Sequence, residues 1–183
     1  MKKCFLIFVC IFLLCGCSGS KPEYLISGIG VDKSDDGYLL CFEAVIVNTE
    51  NTEQTLKVLK GEGKTLSQAF DEIKQQSTQP LLMAHNGVIA VDKDADKNEL
   101  KEICEYVKDV GITLSTYVIK TADIQKLFKT KPLSSICIGY DIMSLMKQNP
   151  PYKNRLFELA SRDYNTTLPV ISIKDGGLIF EEK

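Results

Sequence analysis

Residues 24–47 read YLISGIGVDKSDDGYLLCFEAVIV and predict the element on which the fold is built. The segments Tyr24 to Val31 and Tyr38 to Val47 are rich in apolar, β-branched and aromatic side chains, which is typical of strands. Between them, the sequence Ser34-Asp35-Asp36-Gly37 has the composition of a turn. The stretch therefore predicts an antiparallel hairpin at the start of a sheet.

Downstream of this hairpin, the chain alternates predicted strands and helices. A third, more exposed strand is predicted over 55–59, ending near Gly61 and Gly63, and Thr65 with Gln68 fits a capping box at the start of a helix. Further strands are predicted over 81–91, 115–120, 168–173 and 178–180. Further helices are predicted after the caps Asp96 and Thr121, and over about 135–147 and 152–162. The pattern predicts an α/β fold: a mixed sheet with an N-terminal antiparallel hairpin and helices packed on it, followed by a short helical segment.

The N-terminal segment predicts export and membrane anchoring. Two lysines precede an apolar run from Phe5 to Leu14, which is too short to span about 30 Å of hydrocarbon and is typical of a signal peptide. The sequence Leu14-Cys15-Gly16-Cys17 then fits a lipobox, in which the Cys17 thiol is acylated before cleavage. The alternative is an ordinary secretory signal with incidental cysteines. We expect a signal peptide over 1–16 and a lipidated tether over 17–23, held to the membrane by diacylglycerol, whose two chains suffice for stable anchoring.

The charge balance argues against nucleic acid as a partner. The chain has 22 basic and 24 acidic residues, and loss of Lys2 and Lys3 with the leader takes the net charge from −2 to −4. The sequence has no run of basic residues that would bind a phosphate backbone. The apolar fraction of 44% and the charged fraction of 25% are those of a globular protein.

The cysteines and the single histidine give little support for catalysis. Of seven cysteines, three leave with the leader and Cys17 is acylated, so that Cys41, Cys104 and Cys137 remain. All three lie in apolar contexts, which predicts buried free thiols rather than a disulfide, with a raised pKa that disfavours a nucleophile. His85 could serve as a base beside a thiol, but a structural role at the start of a strand is the favoured interpretation.

Two acidic segments resemble calcium loops in spacing. Five residues nearly match the loop pattern, but strands flank them on both sides and a hairpin turn is favoured: Asp32, Ser34, Asp36, Gly37 and Glu43. The alternating residues Asp92, Asp94 and Asp96 lack the glycine and the distal carboxylate, which favours a strand-to-helix loop. The sequence therefore predicts no metal site.

Two glycine pairs resemble parts of nucleotide-binding loops. Gly28-x-Gly30 is one, and Gly61-x-Gly63-Lys64-Thr65 ends like a phosphate loop. The second pair lacks the first glycine of that motif and no buried strand leads cleanly into it, so a loop-to-helix junction is favoured. No cofactor is predicted.

The order of these pieces resembles the N-terminal domain of the Ger(x)C family, the lipoprotein C subunits of spore germinant receptors. The resemblance rests on the lipobox and three ordered motifs, Gly28-Ile29-Gly30-Val31-Asp32-Lys33, Gly63-Lys64-Thr65-Leu66 and Met83-Ala84-His85-Asn86-Gly87-Val88-Ile89-Ala90-Val91. It covers residues 14–130 well, and the later helices and strands are similar to the continuation of the family. We expect an N-terminal α/β domain over 24–130, then a helical extension and the start of a possible second domain over 131–183.

The resemblance implies a non-catalytic subunit that acts with membrane-embedded A and B subunits in nutrient-triggered germination. It also implies a location on the outer face of the spore inner membrane, with His85 and Asn86 in a possible interaction surface. Two other functions stay open: an extracytoplasmic lipoprotein that binds a small molecule itself, and a thiol enzyme. A deep pocket with convergent polar groups would favour the first alternative; rapid alkylation of one folded thiol would favour the second.

Overall fold

The computed structural model describes residues 23–47, 54–133, 135–149 and 154–181. The described chain is a mixed α/β fold with a mixed six-stranded sheet and a second, two-stranded sheet, which confirms the predicted fold class. The signal peptide, the lipobox and the tether up to residue 22 lie outside the described residues.

The main sheet has the strand order β3-β2-β1-β5-β6, and the short strand β4 also pairs with β1. Its strands are β1 (Glu23–Ser34), β2 (Gly37–Val47), β3 (Gln54–Gly63), β4 (Leu81–Leu82), β5 (Val88–Asp92) and β6 (Tyr117–Thr121). The hairpins β1–β2 and β2–β3 are antiparallel, whereas β4 and β5 run parallel to β1, and β6 runs parallel to β5. The second sheet is the antiparallel pair β7 (Ile171–Lys174) and β8 (Gly177–Phe180).

The predicted N-terminal hairpin is confirmed, and its register contains one irregularity. Ser34 pairs with Gly37 across the turn, where Gly37 has a φ of 137° that side-chain-bearing residues rarely adopt. Near the other end, the register shifts between Ile26 and Gly28, so that Ser27 is the extra residue of a β-bulge. The bulge changes the direction of the Ser27 side chain and is important for the site described below.

In the described part of the chain, five helices pack on the two faces of the sheet. They are α1 (Leu66–Gln76), α2 (Lys97–Asp109), α3 (Ile124–Lys129), α4 (Ile138–Gln148) and α5 (Leu156–Ser161). Leu66, Ile73, Leu100 and Ile103 of α1 and α2 belong to one buried cluster, together with residues of α5. Helices α3 and α4 contribute to the second buried cluster, with β7 and β8 packed against it.

The structure corrects three details of the predicted elements. The strand predicted over 81–91 is interrupted, because a short 3-10 helix at Met83–His85 separates β4 from β5. The cap of α3 is Asp123 rather than Thr121, which ends β6; the Asp123 carboxylate accepts a hydrogen bond from the backbone N–H of Lys126 at 2.8 Å. The strand predicted over 168–173 begins only at Ile171, whereas β3 ends at Gly63, close to its predicted end.

Side chains from both sides of residue 130 share the same buried clusters. Leu156 and Leu159 lie among the residues of β1, β2, α1 and α2, and Ile138 and Ile142 lie among those of β5, β6 and α3. All four are fully buried. The division of the chain into domains at residue 130 stays a prediction.

Candidate functional site

The chain enters the domain in the middle of the main sheet. Tyr24 lies in β1, which has β2 on one side and β4 and β5 on the other. The backbone N–H of Tyr24 donates to the carbonyl of Pro80 at 3.2 Å, and the Lys57 ammonium lies 5.7 Å from the centre of its ring. The predicted tether therefore continues directly into an interior strand that is fixed from both sides.

A buried carboxylate on β2 holds the first turn of α4. The backbone N–H of Ile138 donates to Oε1 of Glu43 at 2.8 Å, and that of Gly139 donates to Oε2 at 2.7 Å. The Ser27 hydroxyl also donates to Oε2, at 2.8 Å. We call Ser27, Glu43, Ile138 and Gly139 the Glu43 cluster. Because free N–H groups and the positive end of the helix dipole face an anion, the carboxylate stabilises the start of α4 in place of a capping side chain.

Burial and hydrogen bonding have opposite effects on the pKa of Glu43. Burial raises the pKa of Glu43, and the hydrogen bonds from Gly139, Ser27 and Ile138 offset part of that effect. A side chain at position 139 would not fit, since its Cβ would lie 2.4 Å from the Ser27 carbonyl oxygen. The bulge at Ser27, the carboxylate and the glycine thus form one tightly packed contact between the hairpin and α4.

The position of Glu43 excludes the calcium-loop interpretation of its segment. Its carboxylate is fully buried against α4, whereas the hairpin turn with Asp36 lies at the other end of β2. The turn borders an open cleft of about 280 Å³ whose lining includes Asp32, Asp36 and Glu62. In the described part of the chain, no three His, Cys, Asp or Glu side chains are placed to hold a metal ion.

Aspartates at the C-terminal end of β5 order the loop that follows this strand and cap α2. The Asp92 carboxylate accepts from the backbone N–H of Asp94 at 2.7 Å. The Asp96 carboxylate accepts from the N–H groups of Asn98 and Glu99, at 2.7 and 2.9 Å, and these bonds lower its pKa. The predicted strand-to-helix loop with Asp96 as cap is confirmed.

The glycine pairs allow helices to approach the sheet closely. A Cβ at Gly30 would lie 2.2 Å from Cγ2 of Ile124 on α3, and a Cβ at Gly28 would lie 2.5 Å from the ring of Phe128. A Cβ at Gly61 would lie 2.0 Å from the carbonyl oxygen of Ala69 on α1. Gly61 and Gly63 lie in β3, which corrects the predicted loop-to-helix junction over 61–65: only Lys64 and Thr65 lie between β3 and α1.

The three thiols are buried free cysteines, as the sequence predicts. Burial raises the pKa of Cys41 to about 11 and that of Cys104 to about 12, and it also raises the pKa of Cys137. Such thiols carry almost no thiolate at neutral pH, and the thiolate is the form that attacks electrophiles.

The side chains of His85 and Asn86 lie in different environments. The imidazole of His85 is exposed on the 3-10 helix rather than at the start of a strand, whereas only 4% of Asn86 is exposed. The backbone carbonyl of Asn86 accepts from the Thr116 hydroxyl at 3.0 Å, and both polar atoms of its side chain find no hydrogen-bond partner among the residues that the structure describes. A contact surface at these two residues stays a prediction, and only His85 presents its side chain to solvent.

Sequence reasoning missed the Glu43 cluster, although one signal was present. Cys41, Glu43 and Val45 lie on the same face of β2 because alternate residues of a strand share a face. A carboxylate between two apolar residues on one face indicates a buried charge that needs donors. The donors themselves come from residues 138 and 139, far along the chain, and no sequence pattern predicts that contact.

Among the residues that the structure describes, none of the helices combines the length and the apolar character needed to cross a bilayer.

Comparison with protein families decides the identity of this fold. A family model described as "Spore germination protein N-terminal domain" matches residues 23–173. The chain belongs to this family of spore germination proteins. The predicted resemblance is therefore confirmed, and family membership gives the chain a role in spore germination. Comparison with curated proteins and with solved structures gives no match.

The residues matched by the spore germination family model are also the residues that build the two buried clusters. The matched residues run from the first residue of β1 to the middle of β7, and they include the α4 and α5 side chains that complete the two buried clusters.

Proposed function

We propose that the chain is a membrane-anchored, non-catalytic lipoprotein subunit of a spore germinant receptor, required for the response to nutrients. The observation that carries the proposal is the family match, which spans the described body from β1 to β7. The lipobox before this body supplies the anchor, because Cys17 precedes β1 by only a short polar segment.

A role in binding rather than catalysis is supported by the state of the potential nucleophiles. All three thiols of the described body are buried with a raised pKa, and the imidazole of the single histidine is exposed on a 3-10 helix. The proposed partners are the diacylglycerol-anchored membrane and the membrane-embedded A and B subunits, on the outer face of the spore inner membrane.

The test is a Cys17→Ala substitution at the native locus, compared with a deletion and with the wild type. We expect the variant to leave the membrane fraction and the spores to lose their response to nutrients, while they still respond to a non-nutrient trigger. Mass spectrometry of the wild-type N-terminal peptide should show diacylglycerol on Cys17. An unmodified Cys17 on an uncleaved leader would contradict the proposal.

A small-molecule-binding lipoprotein remains the alternative. The cleft of about 270 Å³ between α1 and α2 is the feature to test, because Phe70, Leu81, Met83 and Val110 line it with Lys74 at the side. The Lys74 ammonium lies 2.5 Å from the Asp71 carboxylate and 4.9 Å from the centre of the Phe70 ring. A thermal shift with amino acids or sugars that is lost in a Val110→Trp variant would favour this alternative.

A further inference from the structure

Two large apolar side chains are exposed next to each other at one edge of the molecule. Leu114 is 53% exposed and Phe157 is 46% exposed. The backbone N–H of Phe157 donates to the carbonyl of Leu114 at 3.0 Å, which holds the two residues side by side. We call them the Leu114–Phe157 pair. Exposed pairs of this size are more often contact sites than isolated exposed leucines are.

The Leu114–Phe157 pair lies at the edge of the sheet where the chain enters. Strands β1, β5 and β6 run parallel, with Gly28 level with Val88 and Val88 level with Tyr117. Their N-terminal ends therefore share one edge. Glu23 begins β1 at this edge, and Leu114 lies in the turn just before β6.

The predicted tether places this edge close to the bilayer. Residues 18–22 separate Cys17 from β1, and fully extended they reach at most about 18 Å. A domain held on so short a segment can turn only a limited part of its surface toward the lipid. The edge that carries the Leu114–Phe157 pair is the part that adjoins the anchor.

The charge of the opposite edge favours the same orientation. Asp32, Asp92 and Asp123 lie near the C-terminal ends of β1, β5 and β6, close enough to add to the effect of burial in raising the pKa of Asp32. Asp32 is the tenth residue of β1, which begins at Glu23, so these carboxylates lie about 30 Å from the entry point. An anionic bilayer repels these carboxylates, and at a distance well beyond the Debye length of about 10 Å this repulsion is largely screened.

We propose that the Leu114–Phe157 pair is a membrane-contact site whose side chains enter the headgroup region of the bilayer when the chain is held by Cys17. The inference rests on the proposed function for its anchor and adds a second point of attachment. The partner is a lipid surface, because an aromatic and an aliphatic side chain beside an acyl anchor match the interfacial layer of a membrane. Two points of attachment fix the orientation of the domain, which a single lipid anchor does not.

The test uses the absence of tryptophan from the sequence. A Phe157→Trp variant of residues 17–183 is coupled through Cys17 to a maleimide lipid in vesicles that contain phosphatidylglycerol. Coupling is selective because the other three thiols are buried. The matched control is Ser34→Trp, an exposed position at the acidic edge. Thermal melts of both variants establish that they are folded.

For F157W we expect a blue-shifted emission, quenching by brominated lipids and protection from iodide, whereas S34W should be quenched by iodide alone. Adding Leu114→Ser to F157W should reduce the quenching by brominated lipids. Full access of iodide to F157W in the coupled chain would overturn the proposal. Protection from iodide without quenching by brominated lipids would also overturn it, because the contact would then be with protein.

Maleimide coupling bypasses natural acylation, so this test is separate from that of the proposed function. If cellular Cys17 proves unmodified, the proposed anchor fails whatever the fluorescence shows. If Cys17 is acylated but the coupled F157W stays in water, only the membrane-contact site fails.

Discussion

Glu43 shows how one buried side chain connects two parts of a chain that are far apart in sequence. Its two carboxylate oxygens accept hydrogen bonds from the Ser27 hydroxyl on β1 and from two N–H groups on α4. In a Glu43→Gln variant, the side-chain NH2 group would replace one carboxylate oxygen and would itself face a hydrogen-bond donor. At least one of the three donors would then have no acceptor. We expect a loss of about 1–3 kcal/mol in the free energy of unfolding, measured by urea denaturation. The exposed Glu105→Gln on α2 should change it by less than about 0.5 kcal/mol.

The same variant has a predicted pH dependence. Burial raises the pKa of Glu43, so the folded state binds this proton more tightly than the unfolded chain does. The stability contributed by this group is therefore fully present below the ordinary glutamate pKa and is lost as the pH rises through the raised value. The gap between the wild type and E43Q should be largest at acidic pH and should narrow across that window. A gap that widens with rising pH would contradict the assigned direction.

The three buried thiols give a second prediction at this scale. With Cys41 at a pKa of about 11 and Cys104 at about 12, the buried thiols of the folded chain should not react with iodoacetamide at neutral pH, whereas an unacylated Cys17 should react. All three thiols should react after denaturation in urea, and mass spectrometry of the labelled peptides distinguishes them. Rapid labelling of any one of them in the folded chain would revive the thiol-enzyme alternative.

At the scale of elements, glycines set how closely helices approach the sheet. A Gly61→Ala variant places a methyl group against the backbone carbonyl of Ala69, which cannot move without moving α1. We expect a loss of about 1–3 kcal/mol in the free energy of unfolding, the usual cost of overpacking. Gly87→Ala is the matched control, because the nearest atom to its Cβ would lie at an ordinary 3.4 Å. Equal melting temperatures for the two variants would show that α1 adapts.

Local patterns predicted most of the elements but not the contacts between them. The hairpin, the cap Asp96 and the end of α2 at Gly111, with a φ of 92°, follow from turn and cap chemistry that is encoded within a few residues. The break at Met83–His85 was missed because apolar residues flank His85-Asn86-Gly87 on both sides, and hydrophobicity alone does not distinguish one strand from two. The roles of Gly30 and Gly61 depend on helices that follow later in the chain.

At the scale of the whole molecule, the part of the chain after residue 130 completes both buried clusters. Ile138, Ile142, Leu156 and Leu159 are fully buried against earlier elements. A chain that ends at residue 130 would expose the surfaces they cover, and we expect it to lose cooperative thermal unfolding and to be cleaved rapidly by protease. The control ends at residue 181. A truncated chain that melts cooperatively would instead support an independent domain over 24–130.

The position of β1 has a mechanical consequence. A force on the proposed lipid anchor would pull along β1, whose hydrogen bonds to β2 and to β5 lie across the direction of pull. These bonds would be loaded together in shear, whereas an edge strand pulled from its end would peel away one bond at a time. An anchor joined to an interior strand therefore lets a small domain withstand the tension of a moving bilayer without unravelling.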